Sequence, residues 1–325
     1  MKEFVFKICE EIINGINISK KNALELYDVQ TSTDLDFFLM SARRLFDYFC
    51  DGKNDLCSII NAKSGHCSEN CAYCSQSAHF DCDISAYSFL SADEIVAAAK
   101  EREKIGAKRF SIVTSGGSLH DSDLDNVCEA AIRIKKETSL EIDASLGFLS
   151  EEQIQFIMKA GIKRFHHNLE TSENFFSKIC TTHTYRERHE QIQLFKTMGA
   201  EVCSGGIIGM GESRVDRIDL AFALKELDVD SVPINILDPR PGTPLENEPP
   251  LFVDEILKTL AIFRFILPEK TIKLAGGRER NLGAFQEKAL RSGINGMIIG
   301  GYLTTTGESA KNDRQMMLNS GYIFE

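Results

Sequence analysis

The run Cys67-Ser68-Glu69-Asn70-Cys71-Ala72-Tyr73-Cys74 concentrates thiols at a C-x3-C-x2-C spacing. It offers three thiolates to one centre and leaves a fourth position open. A closed structural zinc site takes four protein ligands, whereas an iron–sulfur cube held by three keeps one iron free for a substrate or cofactor. Cys67, Cys71 and Cys74 are therefore read as ligands of a [4Fe-4S] cluster whose free iron is the reactive position. The competing assignment is zinc with His66 as fourth ligand, although adjacent residues rarely both reach one tetrahedral ion. A purely structural cysteine cluster is the weakest alternative.

Elements must carry such a centre, and the chain has the means. Its 325 residues are 43% hydrophobic and 26% charged, enough to bury one large core or two modest ones. A formal charge of −11, with no basic run, argues against a phosphate-backbone binder, so no nucleic-acid partner is expected. Met1-Lys2-Glu3-Phe4 lacks the long apolar core of a signal peptide, and no apolar run approaches the roughly 18 residues of a membrane span. A cytoplasmic protein is expected, in which the ten cysteines act as thiols and metal ligands rather than disulfides.

Short apolar, β-branched runs alternate with amphipathic stretches. Strands are expected near 56–62, 109–114, 140–146, 163–168, 200–207, 231–237, 271–276 and 296–302. Ser91 with Glu94, and Ser150 with Gln153, mark helix starts as capping boxes. Gly106 and Gly161 follow helical runs and supply left-handed caps. Parallel neighbours need crossovers and the crossovers here are helical, so the fold class is α/β, a (β/α)8 TIM-type barrel. Residues 1–55 form an N-terminal helical extension, 56–302 the barrel and 303–325 a C-terminal tail that covers one barrel mouth.

Tyr73 before the third cysteine is typical of radical S-adenosylmethionine enzymes, and further segments narrow the resemblance. They include Ser58-Ile59-Ile60-Asn61-Ala62-Lys63-Ser64-Gly65, His167-Asn168-Leu169-Glu170-Thr171, Val202-Cys203-Ser204-Gly205-Gly206-Ile207-Ile208-Gly209, Ala275-Gly276-Gly277-Arg278-Glu279 and Tyr302-Leu303-Thr304-Thr305. Over nearly its whole length the sequence resembles the biotin synthase family. The resemblance implies insertion of sulfur into dethiobiotin to form biotin, with two 5′-deoxyadenosyl radicals generated in turn from S-adenosylmethionine. It also implies a homodimer and a flavodoxin- or ferredoxin-like electron donor.

Carried over residue by residue, the resemblance assigns Asn168 and Glu170 to the ribose of S-adenosylmethionine and Arg188 to its carboxylate. Asn168 and Glu170 share strand parity, which lets both face one ligand. Gly116 and Gly117, and the Gly205–Ile207–Gly209 stretch, let backbone approach the cofactor, although tight turns also use such glycines. Asn235 carries the donor and acceptor that the cyclic urea of dethiobiotin needs. His166 stands where the family tends to have a second urea-binding asparagine, and Thr304 with Thr305 meets the acid tail.

The family's better-known members hold a [2Fe-2S] sulfur donor with three cysteines and an arginine. Cys203 and Arg278 are the matches found here, expected as ligands and catalytic groups. The other two cysteine positions are Ser111 and Asp143, and hard oxygen suits ferrous–sulfide clusters poorly. An ordinary [2Fe-2S] cluster is thus disfavoured, and the chain resembles the subgroup with a larger auxiliary cluster of [4Fe-5S] type. Cys57, on the first strand, and Cys180 are additional ligand candidates; the bland alternative for each is a buried thiol in the core. Competing functions are a hydrogenase-maturation or pyrrolysine-pathway type of radical enzyme, and a non-enzymatic zinc-stabilised barrel.

Overall fold

The computed structural model describes residues 1–52, 54–305 and 307–322. Short strands buried on both faces assemble into one parallel barrel: β1 (Asp55–Lys63), β2 (Arg109–Thr114), β3 (Glu141–Ser145), β4 (Arg164–His166), β5 (Glu201–Cys203), β6 (Gly206–Ile208), β7 (Ser231–Ile236), β8 (Thr271–Leu274) and β9 (Gly296–Ile298). The hydrogen-bonded order runs β5-β4-β3-β2-β1-β9-β8-β7-β6, and β5 also pairs with β7, which closes the ring. Nine strands fill eight staves because β5 and β6 are two halves of the single strand expected over 200–207. The break lies at Ser204 and Gly205. There the chain comes so close to β7 that a Cβ on Gly205 would sit 1.9 Å from the Pro233 carbonyl oxygen.

The helical crossovers start where the side chains dictate. Ser91 Oγ accepts from the Glu94 amide and Glu94 reaches back to the Ser91 amide, opening the helix Ala92–Lys104. Ser150 and Gln153 do the same for Glu151–Lys159. Each such cap stabilises its helix by about 1 kcal/mol. Gly106 and Gly161 have φ of +90° and +105°, the left-handed conformation that terminates those helices at little cost.

Before the barrel, helices Lys2–Ile13, Lys20–Glu25 and Ser32–Phe49 pack on its flank, with Phe38 against Phe265 of the crossover helix Val253–Ile266 at 5.2 Å between ring centroids. After it, Tyr302–Thr305 turns back over the cavity. Helix Ala310–Asn319 then lies beside the short helix Gln286–Leu290, so among the described residues the tail borders the mouth through its first residues. No helix among the described residues is long and apolar enough to cross a membrane.

Candidate active site

The barrel interior is layered by strand parity. At the amino-terminal end of the strands lies a floor of opposed charges: Asp55 accepts from Arg164 at 2.8 Å and lies 3.1 Å from the Lys273 ammonium, while Arg109 donates to Asp143 at 2.9 Å. Isolated ions could not be buried this deep, but each here faces opposite charge. Burial pushes the Asp55 carboxyl up; Lys273, Arg164 and Arg109 outweigh it and hold the group well below the usual carboxylate range.

One turn of the pleat higher sit Cys57, Ser111, Asp143, His166, Cys203 and Lys273. Lys273 Nζ donates to Cys57 Sγ at 2.8 Å, and Cys57 Sγ lies 3.4 Å from Asp55 Oδ1. Burial, then Asp55, holds the Cys57 thiol well above its ordinary range. Burial would push Cys203 up as well. The His166 imidazolium, then Lys273, outweighs it and brings that thiol down to about 7. His166 is itself brought up to about 9, because Cys203 and Asp143 outweigh the burial that opposes its charge. Cys203 and His166 thus each favour the charged form of the other, and the Ser111 hydroxyl beside them is buried and without a hydrogen-bond partner among the described residues.

Above this layer the cavity widens to about 440 Å³ and reaches the three-cysteine loop. That loop follows β1 and is folded by its own polar groups: the Cys67 amide donates to the Gln76 carbonyl, Gln76 Oε1 accepts from Asn61, and Ser77 Oγ donates to the Glu69 carbonyl. Cys67, Cys71 and Cys74 all line the cavity, with Cys71 buried and the other two half-buried. This donor set fits an iron–sulfur cube with one iron turned toward the cavity. A Cβ on Gly117 would stand 2.5 Å from Glu69 Oε1, so glycine lets the Glu69 side chain lie close over this turn.

Opposite the loop are Asn168, Glu170 and Arg188. Their convergence is reached differently from the parity argument. β4 ends at His166, and Glu170 has a left-handed φ of +69°, yet Asn168 Nδ2 still lies 3.4 Å from Glu170 Oε2. Arg188 Nη1 donates to the Asn168 carbonyl at 2.9 Å and Nε donates to His183 Nε2 at 2.8 Å. An arginine only donates, so Nε2 carries the imidazole lone pair and Nδ1–H points to Glu69 Oε2, 2.6 Å away. His183 thus ties the cluster loop to Arg188, whose Nη2 remains directed to no acceptor among the described residues.

Asn235, Gly116, Gly117, Ile207, Thr304 and Thr305 also line the cavity, while Gly205 makes the close approach to β7. The Asn235 amide already bridges two strands, accepting from the Gly276 amide at 3.0 Å and donating to the Gly206 carbonyl at 3.3 Å. One N–H and one lone pair stay available to a ligand.

Two expectations need correction. Arg278 lies outside the cavity lining, its guanidinium bonded to Tyr302, Gln286 and Asp313 under the C-terminal helix. The basic residue that faces the deep thiols is Lys273 on β8. Cys180 does not join that layer; its Sγ is 3.8 Å from Cys71 Sγ, beside the mouth loop. His66, the zinc alternative's fourth ligand, is exposed and outside the cavity. Sequence reasoning missed Lys273, Asp55 and His183. Alternation within Thr271-Ile272-Lys273-Leu274 puts Lys273 on the face opposite Ile272 and Leu274 but does not say which face lines the barrel, and nothing in sequence spacing joins His183 to Glu69.

Two family models match the chain: the Radical SAM superfamily over residues 63–224 and the Biotin and Thiamin Synthesis associated domain over 233–323. Biotin synthase of Clostridium botulinum strain Hall is 47% identical over 318 residues, 98% of each chain. Biotin synthase of Campylobacter hominis is 47% identical over 320 residues, covering 98% of this chain and 97% of the relative. The FeFe-hydrogenase maturase HydG from Carboxydothermus hydrogenoformans superposes with a TM-score of 0.83 over 99% of this chain and 79% of that one. At 17% identity it shares the fold alone.

Proposed function

The chain belongs to the biotin synthase family of radical S-adenosylmethionine enzymes, and from that premise we propose that it inserts sulfur into dethiobiotin to form biotin. The observation that carries this reading is a single cavity joining the three-cysteine loop to a deep layer with two thiols, Cys57 and Cys203. Radical generation and sulfur supply can then act on one substrate held between them.

Cys67, Cys71 and Cys74 would hold the [4Fe-4S] cube, which supplies the electron that cleaves S-adenosylmethionine to a carbon radical. Arg188, held by His183 and the Asn168 carbonyl, would present Nη2 to the cofactor carboxylate, and Asn168 with Glu170 would take the ribose. Asn235 would orient the urea ring with the amide edge left over from its backbone bonds, and Thr304 and Thr305 would meet the acid tail. The ring closed by the β5–β7 pairing would limit the access of water to the reacting carbons. An auxiliary iron–sulfur cluster would sit among Cys57, Cys203 and the Lys273 ammonium; its soft donors are too few for an ordinary three-cysteine [2Fe-2S] site, which favours a [4Fe-5S] type. A homodimer in the cytoplasm, reduced by a flavodoxin- or ferredoxin-like donor, completes the reading.

The test is substrate-dependent 5′-deoxyadenosine formation by anaerobically reconstituted protein. Dethiobiotin should stimulate it; stimulation by tyrosine or lysine with none by dethiobiotin would favour the hydrogenase-maturation or pyrrolysine-pathway type. Colourless protein containing zinc and no acid-labile sulfide would favour the scaffold reading.

A further inference from the structure

Cys180 and His183, which the radical chemistry leaves without a covalent role, stand against Cys71 in a buried group of three whose ligand atoms lie within 4.8 Å of one another. The spacing is informative. A tetrahedral ion with metal–sulfur bonds of about 2.3 Å has a sulfur–sulfur edge of about 3.8 Å and, with a metal–nitrogen bond of about 2.0 Å, a sulfur–nitrogen edge of about 3.5 Å. Cys71 Sγ and Cys180 Sγ are 3.8 Å apart, and Cys180 Sγ lies 3.4 Å from His183 Nδ1 and 3.7 Å from Nε2. Two thiols of a four-iron cube bind different irons and stand farther apart than this edge. The Cys71–Cys180 separation therefore suits one ion rather than a cube.

We propose that Cys71, Cys180 and His183 form a mononuclear site for a divalent cation of borderline softness, Zn²⁺ or Fe²⁺, in the protein before its cube is assembled. Both thiols lose their protons to solvent on binding, and water completes the tetrahedron. His183 ligates through Nε2, the nitrogen with the lone pair. Its Nδ1–H stays on Glu69, the carboxylate partner that orients metal-bound imidazoles in many sites. Two consequences follow from shared atoms. The ion takes Nε2 from Arg188, and it takes Cys71 from the cube, so ion and cube exclude each other at this corner of the cavity. Only this exclusion rests on the reading of Cys71 as a cube ligand; binding of the ion does not.

Titration of Co²⁺ alone into chelator-treated, cluster-free full-length protein tests the site. One ion should bind with tetrahedral visible bands and near-ultraviolet thiolate-to-cobalt absorption. Cys180→Ser and His183→Ala should each weaken binding about tenfold or more, and Cys180→Ser should lose about half the thiolate band. Cys180→Ala and His183→Gln give the same readout should a first variant fold poorly by circular dichroism. Unchanged Co²⁺ affinity in the Cys180 and His183 variants overturns the proposal, as does loss of binding in Cys67→Ser and Cys74→Ser while Cys180→Ser binds normally. Reconstitution of Co²⁺-loaded protein with iron and sulfide should release the cobalt; a full cube formed with cobalt retained overturns the exclusion, whatever the enzyme's activity on dethiobiotin.

Discussion

Replacing Lys273 by methionine removes the one basic side chain set against Cys57 at the bottom of the cavity. Its ammonium is 1% exposed, 2.8 Å from Cys57 Sγ and 3.1 Å from Asp55 Oδ2. Removing one partner of a buried pair costs about 3–5 kcal/mol, but Asp55 would keep Arg164 at 2.8 Å and Arg109 at 3.6 Å, so the expected loss is about 2–3 kcal/mol. For a chain of this size that lowers the melting temperature by about 3–4 °C. Thermal denaturation of the cluster-free protein, followed by circular dichroism, isolates this effect from iron loading, and Lys273→Arg should recover most of it. The sign with pH follows from Asp55. Its carboxyl is depressed, so its stabilisation is present above the unfolded value of about 4 and is lost as pH falls through the folded value. Lys273→Met should therefore flatten the acid limb of the stability curve. A Lys273→Met protein melting with wild type at every pH would refute the view that these charges are coupled. On reconstitution the same variant should lose auxiliary iron and keep the first cube.

His166→Asn should return the Cys203 thiol from about 7 toward its ordinary range, because the imidazolium is the largest influence lowering it. Thiolate absorbance near 240 nm against pH reads the shift, and an unmoved midpoint would show that Lys273 and Arg164 suffice. The imidazolium's own stabilisation is present below the unfolded histidine value of about 6.5 and lost as pH rises through about 9, a limb that His166→Asn should abolish in denaturation at graded pH. Asn235→Ala should weaken dethiobiotin binding about tenfold while leaving S-adenosylmethionine binding nearly unchanged, with a stability loss of about 1–2 kcal/mol from its two backbone bonds. Equal loss for both ligands by calorimetry would make Asn235 structural. Cys57→Ala or Cys203→Ala should remove iron in excess of the first cube, with 5′-deoxyadenosine still formed and biotin nearly absent; normal iron and biotin in Cys57→Ala would return that thiol to the core.

The elements that the chain writes locally were legible in it. Capping at Ser91 and Ser150, glycine stops at 106 and 161, and apolar runs of strand length led to the barrel without help from tertiary structure. So did the mouth loop, because three cysteines within eight residues are a local signal. What was lost depends on long-range geometry. Ser204 and Gly205 read as the middle of one strand, yet the ladder breaks there, where the Gly205 backbone passes close to Pro233. The resemblance assigns Arg278 as the arginine ligand, but Gly276 and Gly277 turn the chain out of the barrel into the helix Arg278–Leu282, where Asp313 claims the guanidinium. Lys273 was hidden by its neighbours, a lysine between Ile272 and Leu274 resembling an exposed strand residue until the register places it inward beside Cys57. Cys180 and His183 could not be located from spacing, since more than a hundred residues separate them from the loop they touch.

The central claim is that one cavity couples a three-thiolate radical centre to a separate sulfur-supplying layer. Anaerobic protein reconstituted with iron and sulfide and given S-adenosylmethionine, a low-potential reductant and dethiobiotin tests it by joint quantitation of biotin and 5′-deoxyadenosine. Wild type should form biotin with two molecules of 5′-deoxyadenosine per biotin, Cys71→Ala should form no 5′-deoxyadenosine, and Cys203→Ala should form 5′-deoxyadenosine without biotin. Biotin formed normally by Cys203→Ala, or 5′-deoxyadenosine formed normally by Cys71→Ala, would contradict this coupling.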